Sequence, residues 1–286
     1  MNGLSIVVTG VSTGIGKAIA RVLVDRGYRV FGSVRKGSDG ESLAAELGTA
    51  FVPLVFDVRD EIAVTNGAAK VKEALANDKL FGLVNNAGIG VGGPLECLPI
   101  ESFRTQMDVN VTGLLIVTQK FLPLLGTDRS RKGKPGRIVN MGSIGGKLAA
   151  PFLGPYCASK FAVEGISESL RREVQLFGID VIVIGPGAVA TPIWDKAEQA
   201  DTSIFAGTEY EEAFRKFGTY FVREGRKGYP PERIGETVLK ALTKKKPKVR
   251  YSVVPHAFTQ SFIARLLPKR LVDRSFAKNL GLLYKA

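Results

Sequence analysis

The stretch Ser5-Ile6-Val7-Val8-Thr9-Gly10-Val11-Ser12-Thr13-Gly14-Ile15-Gly16 decides how this chain folds. Its first four residues read as a short buried strand. Beyond Gly16, Ala18, Ile19, Val22 and Leu23 recur at helical spacing up to Gly27. Strand, glycine-rich turn and helix in that order present backbone N–H groups and the positive end of a helix to a pyrophosphate, and the glycines permit an approach that side chains would block. A plain turn with no ligand is the bland alternative. The second strand, Tyr28-Arg29-Val30-Phe31-Gly32-Ser33-Val34, completes a βαβ opening and favours the nucleotide reading.

Working outward, the alternation continues. Phe51 to Phe56 reads as a strand ending at Asp57-Val58, followed by a helix to about Asn77. Leu80 to Val84 is a strand ending in Asn85-Asn86-Ala87-Gly88. A long helix is predicted from about Glu101 to Leu125, with Asn110 among Met107, Val109, Val111, Leu114 and Leu115. Either that amide satisfies a neighbouring carbonyl or it marks a kink or water site; buried polar groups need partners. After an exposed loop from Asp128 to Gly136 comes the strand Arg137 to Gly142, then Ser143, then a helix from Pro155 to Phe177. The strand Ile179 to Ile184 runs into Gly185-Pro186-Gly187-Ala188-Val189-Ala190-Thr191-Pro192. A helix from Pro231 to Leu242, a strand from Val249 to Val254 and a basic helical tail end the chain. The pattern predicts an α/β fold, a doubly wound parallel sheet with its ligand outside the carboxyl ends of the strands.

Composition fits one large α/β domain: 286 residues, 45% hydrophobic and 23% charged. Cys97 and Cys157 stand in unrelated contexts without metal-ligand spacing, so neither a disulfide nor a metal is expected. The N-terminus enters a strand within three residues and shows no signal or anchor pattern, which predicts a cytoplasmic protein. Of the formal charge of +13, the segment from Lys244 onward carries eleven basic residues against Asp273 alone. The excess is local, which argues against a nucleic-acid groove across the fold.

Tyr156 and Lys160 lie four apart, on one helix face, with Cβ atoms about 5–6 Å apart. A cation beside a phenol favours the phenolate and suits proton exchange near neutrality; a solvated helix face is the plain alternative. Ser143, thirteen residues upstream at a strand end, adds a hydroxyl able to polarise the same carbonyl oxygen. At the end of the second strand, where an acid would receive a ribose 2′-hydroxyl, stand Arg35 and Lys36, with Thr13 in the glycine turn. This favours a 2′-phosphate.

Together these residues resemble the short-chain dehydrogenase/reductase family from Ser5 to about Val254. Thr9-Gly10 with Gly14-Ile15-Gly16 matches the family's cofactor turn, Asn85 to Gly88 its central-strand motif, Asn110, Ser143, Tyr156 and Lys160 its catalytic tetrad, and Pro186-Gly187 with Thr191 its nicotinamide-side loop. The resemblance implies one domain with about seven parallel strands. It also implies hydride transfer between a nicotinamide and a carbonyl or alcohol carbon, with NADP(H) preferred and NAD(H) possible. Tyr156 would exchange the proton. Ser143 would hold the substrate oxygen, Lys160 would hold the ribose and lower the Tyr156 pKa, and Asn110 would anchor a water. Further cofactor contacts would map to Gly10, Ser12, Asp57, Val58, Asn86, Ala87, Gly88 and Val189, and the family's pairing of its long helices implies a homodimer or homotetramer. Arg250-Tyr251 and Leu266-Leu267-Pro268 look like the steroid and retinol dehydrogenase branch.

Between Pro192 and Tyr229 eight aromatics fall in 38 residues, and Tyr210, Phe214, Phe217 and Phe221 share one helix face. This predicts a lid, residues 192–229, over a hydrophobic ketone or alcohol of steroid, retinoid or aromatic size, with Phe152, Trp194, Phe214 and Phe217 on the substrate side; packing against the body is the plain alternative. Residues 1–257 are expected to form the catalytic domain and 258–286 a basic extension. There Phe258, Phe262, Ile263, Leu266 and Leu267 beside Arg265, Lys269 and Arg270 would give weak contact with anionic membranes or pack on the protein. Three rival readings remain: a serine hydrolase, for which Met141 breaks the nucleophile-elbow pattern and His256 is the sole histidine; a non-catalytic dinucleotide sensor; and a family member acting on a polar sugar or acyl-carrier ketone.

Overall fold

The computed structural model describes residues 3–254 and 267–284. In chain order the elements are β1 (Ser5–Val8), α1 (Gly14–Asp25), β2 (Arg29–Val34), α2 (Gly37–Leu47), β3 (Phe51–Val55), α3 (Glu61–Leu75), β4 (Gly82–Asn85), α4 (Ile100–Met107), α5 (Gly113–Leu122), β5 (Arg137–Met141), α6 (Gly154–Glu173), β6 (Asp180–Pro186), α7 (Ile193–Glu198), α8 (Glu211–Arg226), α9 (Glu232–Thr243), β7 (Arg250–Val253) and α10 (Lys269–Leu280). The seven strands form one sheet in the order β3-β2-β1-β4-β5-β6-β7, every pair parallel. A sheet covered on both faces needs strands apolar throughout. Accordingly β1 is buried at all four positions and β6 at all but its first.

Two apolar layers enclose the sheet. One packs Ile19 and Leu23 of α1, Leu43 of α2 and Ile234, Val238 and Leu242 of α9 against it. The other packs Val64, Val71 and Leu75 of α3 with Val117 and Phe121 of α5. Strand order reverses between β1 and β4, so the loops leaving those two strands diverge and open a crevice at the carboxyl edge.

The long helix expected over 101–125 is interrupted. A π-helical turn, Asp108–Thr112, separates α4 from α5, and a second one, Pro123–Thr127, ends the run where Gly126 turns to φ +143°. The α6 helix likewise tightens into a 3₁₀ turn at Val174–Phe177, closed by Gly178 at φ +69°. The run Ile100–Thr127 has the length and apolarity to cross a membrane, but half of its most apolar stretch is buried in the fold. Its apolarity serves the core, where Val117, Phe121, Leu124 and Leu125 pack beneath the sheet. The tail residues Phe258, Phe262, Ile263, Arg265 and Leu266, His256 and the boundary placed at residue 257 lie outside the described residues. Leu267 is exposed, and α10 packs back on α8.

Candidate active site

The glycine turn between β1 and α1 is shaped by what cannot fit there. A Cβ on Gly16 would lie 2.0 Å from the Gly10 carbonyl oxygen, and one on Gly10, at φ +69°, would lie 2.8 Å from the Ala87 Cα. Both positions require glycine, and the backbone is left bare toward the crevice. The turn is tied to the end of β4. The Thr9 hydroxyl accepts the Asn86 and Ala87 N–H groups at 3.0 Å each, while the Asn86 amide donates to the carbonyls of Thr9 and Gly10 at 2.9 and 3.0 Å. Thus Asn86, which the sequence suggested for cofactor contact, also fixes the turn. Ser12, Gly14 and Ile15 are half-buried along it, and Thr13 is exposed with no cap made by its side chain. Thr191 faces Gly14 from across the crevice, its Cβ 3.4 Å from where a Gly14 Cβ would stand.

At the outer end of the crevice Arg35 and Lys36 are exposed, immediately before α2. Asp57 is gripped by Arg59 through Nε–Oδ1 at 3.1 Å and Nη2–Oδ2 at 2.9 Å. The hydrogen bonds from Arg59, with Arg35 adding a positive field, hold its carboxyl below the usual carboxylate range. Arg59 was passed over in the sequence because a charged loop residue has no periodic signature. Val58 is buried against Gly113, so only its backbone can reach a ligand.

Asn110 sits in the π turn and engages both ends of its amide. It accepts the Ile89 N–H at 2.9 Å and donates to the Ile89 carbonyl at 3.0 Å and to the Ser159 hydroxyl at 3.1 Å. Both sequence readings therefore hold in part: the helix is locally widened, and the amide satisfies a backbone carbonyl. Gln106, unnoticed in the sequence, is fully buried and braces the same segment through Val91 N–H at 2.7 Å and Ile89 C=O at 2.9 Å. Together they fix the strand end that carries Gly88. Gly90 then passes beside the Tyr156 ring, 3.7 Å from it were a Cβ present.

Ser143 ends β5 and caps the short turn Ile144–Gly146, its Oγ accepting the Gly145 N–H at 3.0 Å. Its own proton is left to donate, and the hydroxyl is the group that acts to lower the Tyr156 pKa. Pro155 in the first turn of α6 starts the helix that carries Tyr156 and Lys160 on one face. Burial raises the Tyr156 pKa, partly opposed by the Ser143 hydrogen bond. Lys160, expected to draw this pKa down, is not among the groups that shift it. Its ammonium lies 5.8 Å from the tyrosine ring centroid and donates to the Met141 carbonyl at 2.8 Å, and burial lowers its own pKa to about 8. Desolvation is the largest cause for both groups.

On the far side, Pro186, Gly187 and Val189 leave β6. A Cβ on Gly187 would meet Val254 at 2.5 Å, and the Val189 carbonyl accepts Trp194 Nε1–H at 2.7 Å. Trp194, expected on the substrate side, is thereby tied to the loop after β6. Its ring packs edge-on to Phe221 at 5.1 Å and fills the space over Gly225, anchoring α8 to the loop. The expected aromatic face of α8 does form. Phe214 and Phe217 meet Phe152 at 5.4 and 5.7 Å, and Leu280 of α10 completes the cluster. Phe152 has φ +65°, a strained conformation for a bulky residue, and its carbonyl accepts the Gly93 N–H at 2.8 Å. Tyr210 Oη donates to Glu96 at 2.8 Å, so the segment before α8 reaches the loop after β4.

With this geometry in place, comparison with known proteins decides the family. The short chain dehydrogenase model matches residues 5–202. The chain belongs to the short-chain dehydrogenase/reductase family. It is 38% identical over 274 residues, 96% of each chain, to a protein from Ornithobacterium rhinotracheale called NADPH-dependent 3-dehydrocapnine reductase. It is 34% identical over 250 residues, 87% of each chain, to 3-ketodihydrosphingosine reductase of Bacteroides thetaiotaomicron. Among solved structures, the closed form of serine dehydrogenase complexed with NADP+ aligns with a TM-score of 0.73 at 25% identity, covering 88% of this chain and 95% of that one. The protein is thus an NAD(P)-dependent oxidoreductase of the type that interconverts CH–OH and C=O groups.

Proposed function

We propose that this dehydrogenase reduces the keto group of a large apolar substrate with NADPH, and that Tyr156 is its proton donor. The observation that carries the reading is Tyr156 one helical turn from Lys160 on α6, with Ser143 just past the end of β5, at the crevice opened by the reversal of strand order. The crevice fits a dinucleotide: Gly10 and Gly16 leave a backbone cradle that a methyl group would fill, and Arg35 with Lys36 supplies cations where a 2′-phosphate would lie. Bound there, NADPH supplies the hydride that reduces the carbonyl carbon.

The chain's own residues do the rest. Backbone amides of the Ser12 to Gly16 turn and the α1 N-terminus hold the pyrophosphate, with Thr191 closing the opposite side. Lys160 holds the nicotinamide ribose. Ser143 donates to the substrate oxygen, and Tyr156 delivers the proton that turns it into a hydroxyl. Asn110 keeps the Ile89 segment in place and takes part in holding a water toward solvent. A phenol kept neutral by burial suits the reductive direction, which needs a protonated tyrosine.

We read the cluster of Phe152, Phe214 and Phe217 as the apolar side of the substrate site, in keeping with pockets lined mainly by aromatic and aliphatic groups. The name of one relative, 3-ketodihydrosphingosine reductase, supports testing a 3-keto lipid amine of that kind first, ahead of steroid, retinoid and aromatic ketones. We also read the enzyme as a cytoplasmic homo-oligomer. Oxidation of NADPH and NADH should be followed with a long-chain 2-amino-3-ketone, a ketosteroid, retinal, an aromatic ketone and a sugar. Preference for NADPH and the long-chain ketone is expected; turnover confined to the sugar would overturn the substrate reading.

A further inference from the structure

One ionic group lies behind the site without touching the crevice. Arg250, first residue of β7, donates from Nε to Glu164 Oε1 at 2.8 Å and from Nη2 to the carbonyl of Ser143 at 3.2 Å, with Nη1 on Ser252 Oγ. The other oxygen of Glu164 takes Lys147 Nζ at 3.0 Å. Glu164 and Arg250 are largely withdrawn from water, their side chains 11% and 21% exposed. Space for the guanidinium exists only because position 185 is glycine, where a Cβ would stand 2.3 Å from Nη2. One carboxylate of α6 therefore ties down both ends of the turn from Ser143 to Lys147. The main chain leading into it is held as well, with the Met141 carbonyl on Lys160 and the Gly142 N–H on the Ile184 carbonyl at 2.7 Å.

We propose that Arg250 and Glu164 are positioning residues for catalysis, clamping the Ser143 main chain from behind so that its hydroxyl stays aligned with the Tyr156 phenol. The inference rests on the roles given above to Ser143 and Tyr156. A guanidinium is suited to this task because its planar fork serves two acceptors at once, a geometry that an ammonium cannot reproduce. Release of the clamp lets the turn drift, and a misplacement of about 1 Å can cost on the order of 10²-fold in rate. Drift also withdraws the Ser143 hydroxyl, which favours the phenolate. The ionisable neighbours of Tyr156, Cys157 and Lys160, stay where they are.

The test compares Arg250→Gln, Arg250→Lys and Glu164→Gln with the wild type and with Tyr156→Phe, measuring kcat, KM for NADPH, Tm and the pH profile of ketone reduction. Arg250→Gln is expected to lower kcat about tenfold or more with KM for NADPH unchanged, and to move the alkaline limb of the profile to higher pH. Arg250→Lys should fall between it and the wild type. A folded Arg250→Gln enzyme with unchanged kcat and limb overturns the inference, as does a fall in Tm alone. If Arg250→Gln does not fold, Lys147→Gln opens only the exposed end of the clamp and should give the same shift at smaller amplitude; no shift there overturns it equally. Activity retained by Tyr156→Phe would sink the catalytic reading itself. An inactive Tyr156→Phe beside unaffected Arg250 variants would sink only the clamp.

Discussion

A phenol whose pKa is raised by burial stays protonated across the neutral range, so the proton donor proposed for carbonyl reduction, Tyr156, is ready before substrate arrives. Tyr156→Phe keeps the ring and removes the proton. It is expected to lower kcat by about 10²–10⁴-fold while leaving NADPH affinity, read by fluorescence titration, nearly unchanged. Arg35→Ala should raise KM for NADPH far more than KM for NADH, since only the former has a 2′-phosphate to pair with the guanidinium; equal changes would make Arg35 a solvated loop residue. Lys160 carries a prediction about stability. Its folded pKa, about 8, lies below the ordinary 10.5, so between these values the unfolded chain binds a proton that the native protein does not, and stability rises with pH. The penalty for burying the charge is complete below pH 8. Tyr156, with its raised pKa, acts in the opposite sense only above its ordinary value of 10.0. Wild type minus Lys160→Met, compared by denaturant unfolding without cofactor from pH 8 to 10, should therefore rise; a flat difference would mean that the ammonium is not desolvated.

At the scale of elements, the π turn Asp108–Thr112 and helix α8 do the positioning. Widening the helix at Asn110 turns its amide toward Ile89 and Ser159, and Gln106 one turn earlier repeats the contact. Asn110→Leu would leave the Ile89 N–H unpaired in the interior, at about 1–3 kcal/mol, while the Ile89 carbonyl keeps Gln106 and the Ser159 hydroxyl keeps the Tyr156 carbonyl; it should reduce both Tm and kcat. The α8 face bears on whether residues 192–229 act as a lid. Phe217 is nearly buried between Phe152 and Phe221, whereas Phe214 keeps an open side next to Phe205. Phe217→Ala should chiefly lower Tm. Phe214→Ala should chiefly raise KM for the best apolar ketone, and the reverse assignment would reduce α8 to simple packing.

At the scale of the whole molecule, the small cluster of Phe152, Phe217 and Leu280 joins three distant parts of the chain at the edge of the fold, apart from the two large layers that hold the sheet. Peripheral clusters open below the global unfolding energy. Leu280→Ala is therefore expected to speed hydrogen exchange in α8 while leaving β1, β4 and β5 protected. Uniform loss of protection would mean that α10 is integral to the main core.

The order of strands and helices, the glycine turn and the positions of Ser143, Tyr156 and Lys160 were legible in the sequence because each depends on local chemistry: apolar periodicity, the need for bare backbone at Gly10 and Gly16, and fixed spacing along one helix. The sequence did not show what each polar side chain finds as a partner. Lys160 turns to the Met141 carbonyl, Trp194 is spent on the Val189 carbonyl, and Gln106, Arg59 and Arg250 gain their roles from residues between 2 and 107 positions away. Hydrogen bonds and desolvation depend on three-dimensional distance and on burial by other elements. Neither quantity exists until the sheet has brought the ends of β4, β5, β6 and β7 together, and only the tertiary structure could decide them.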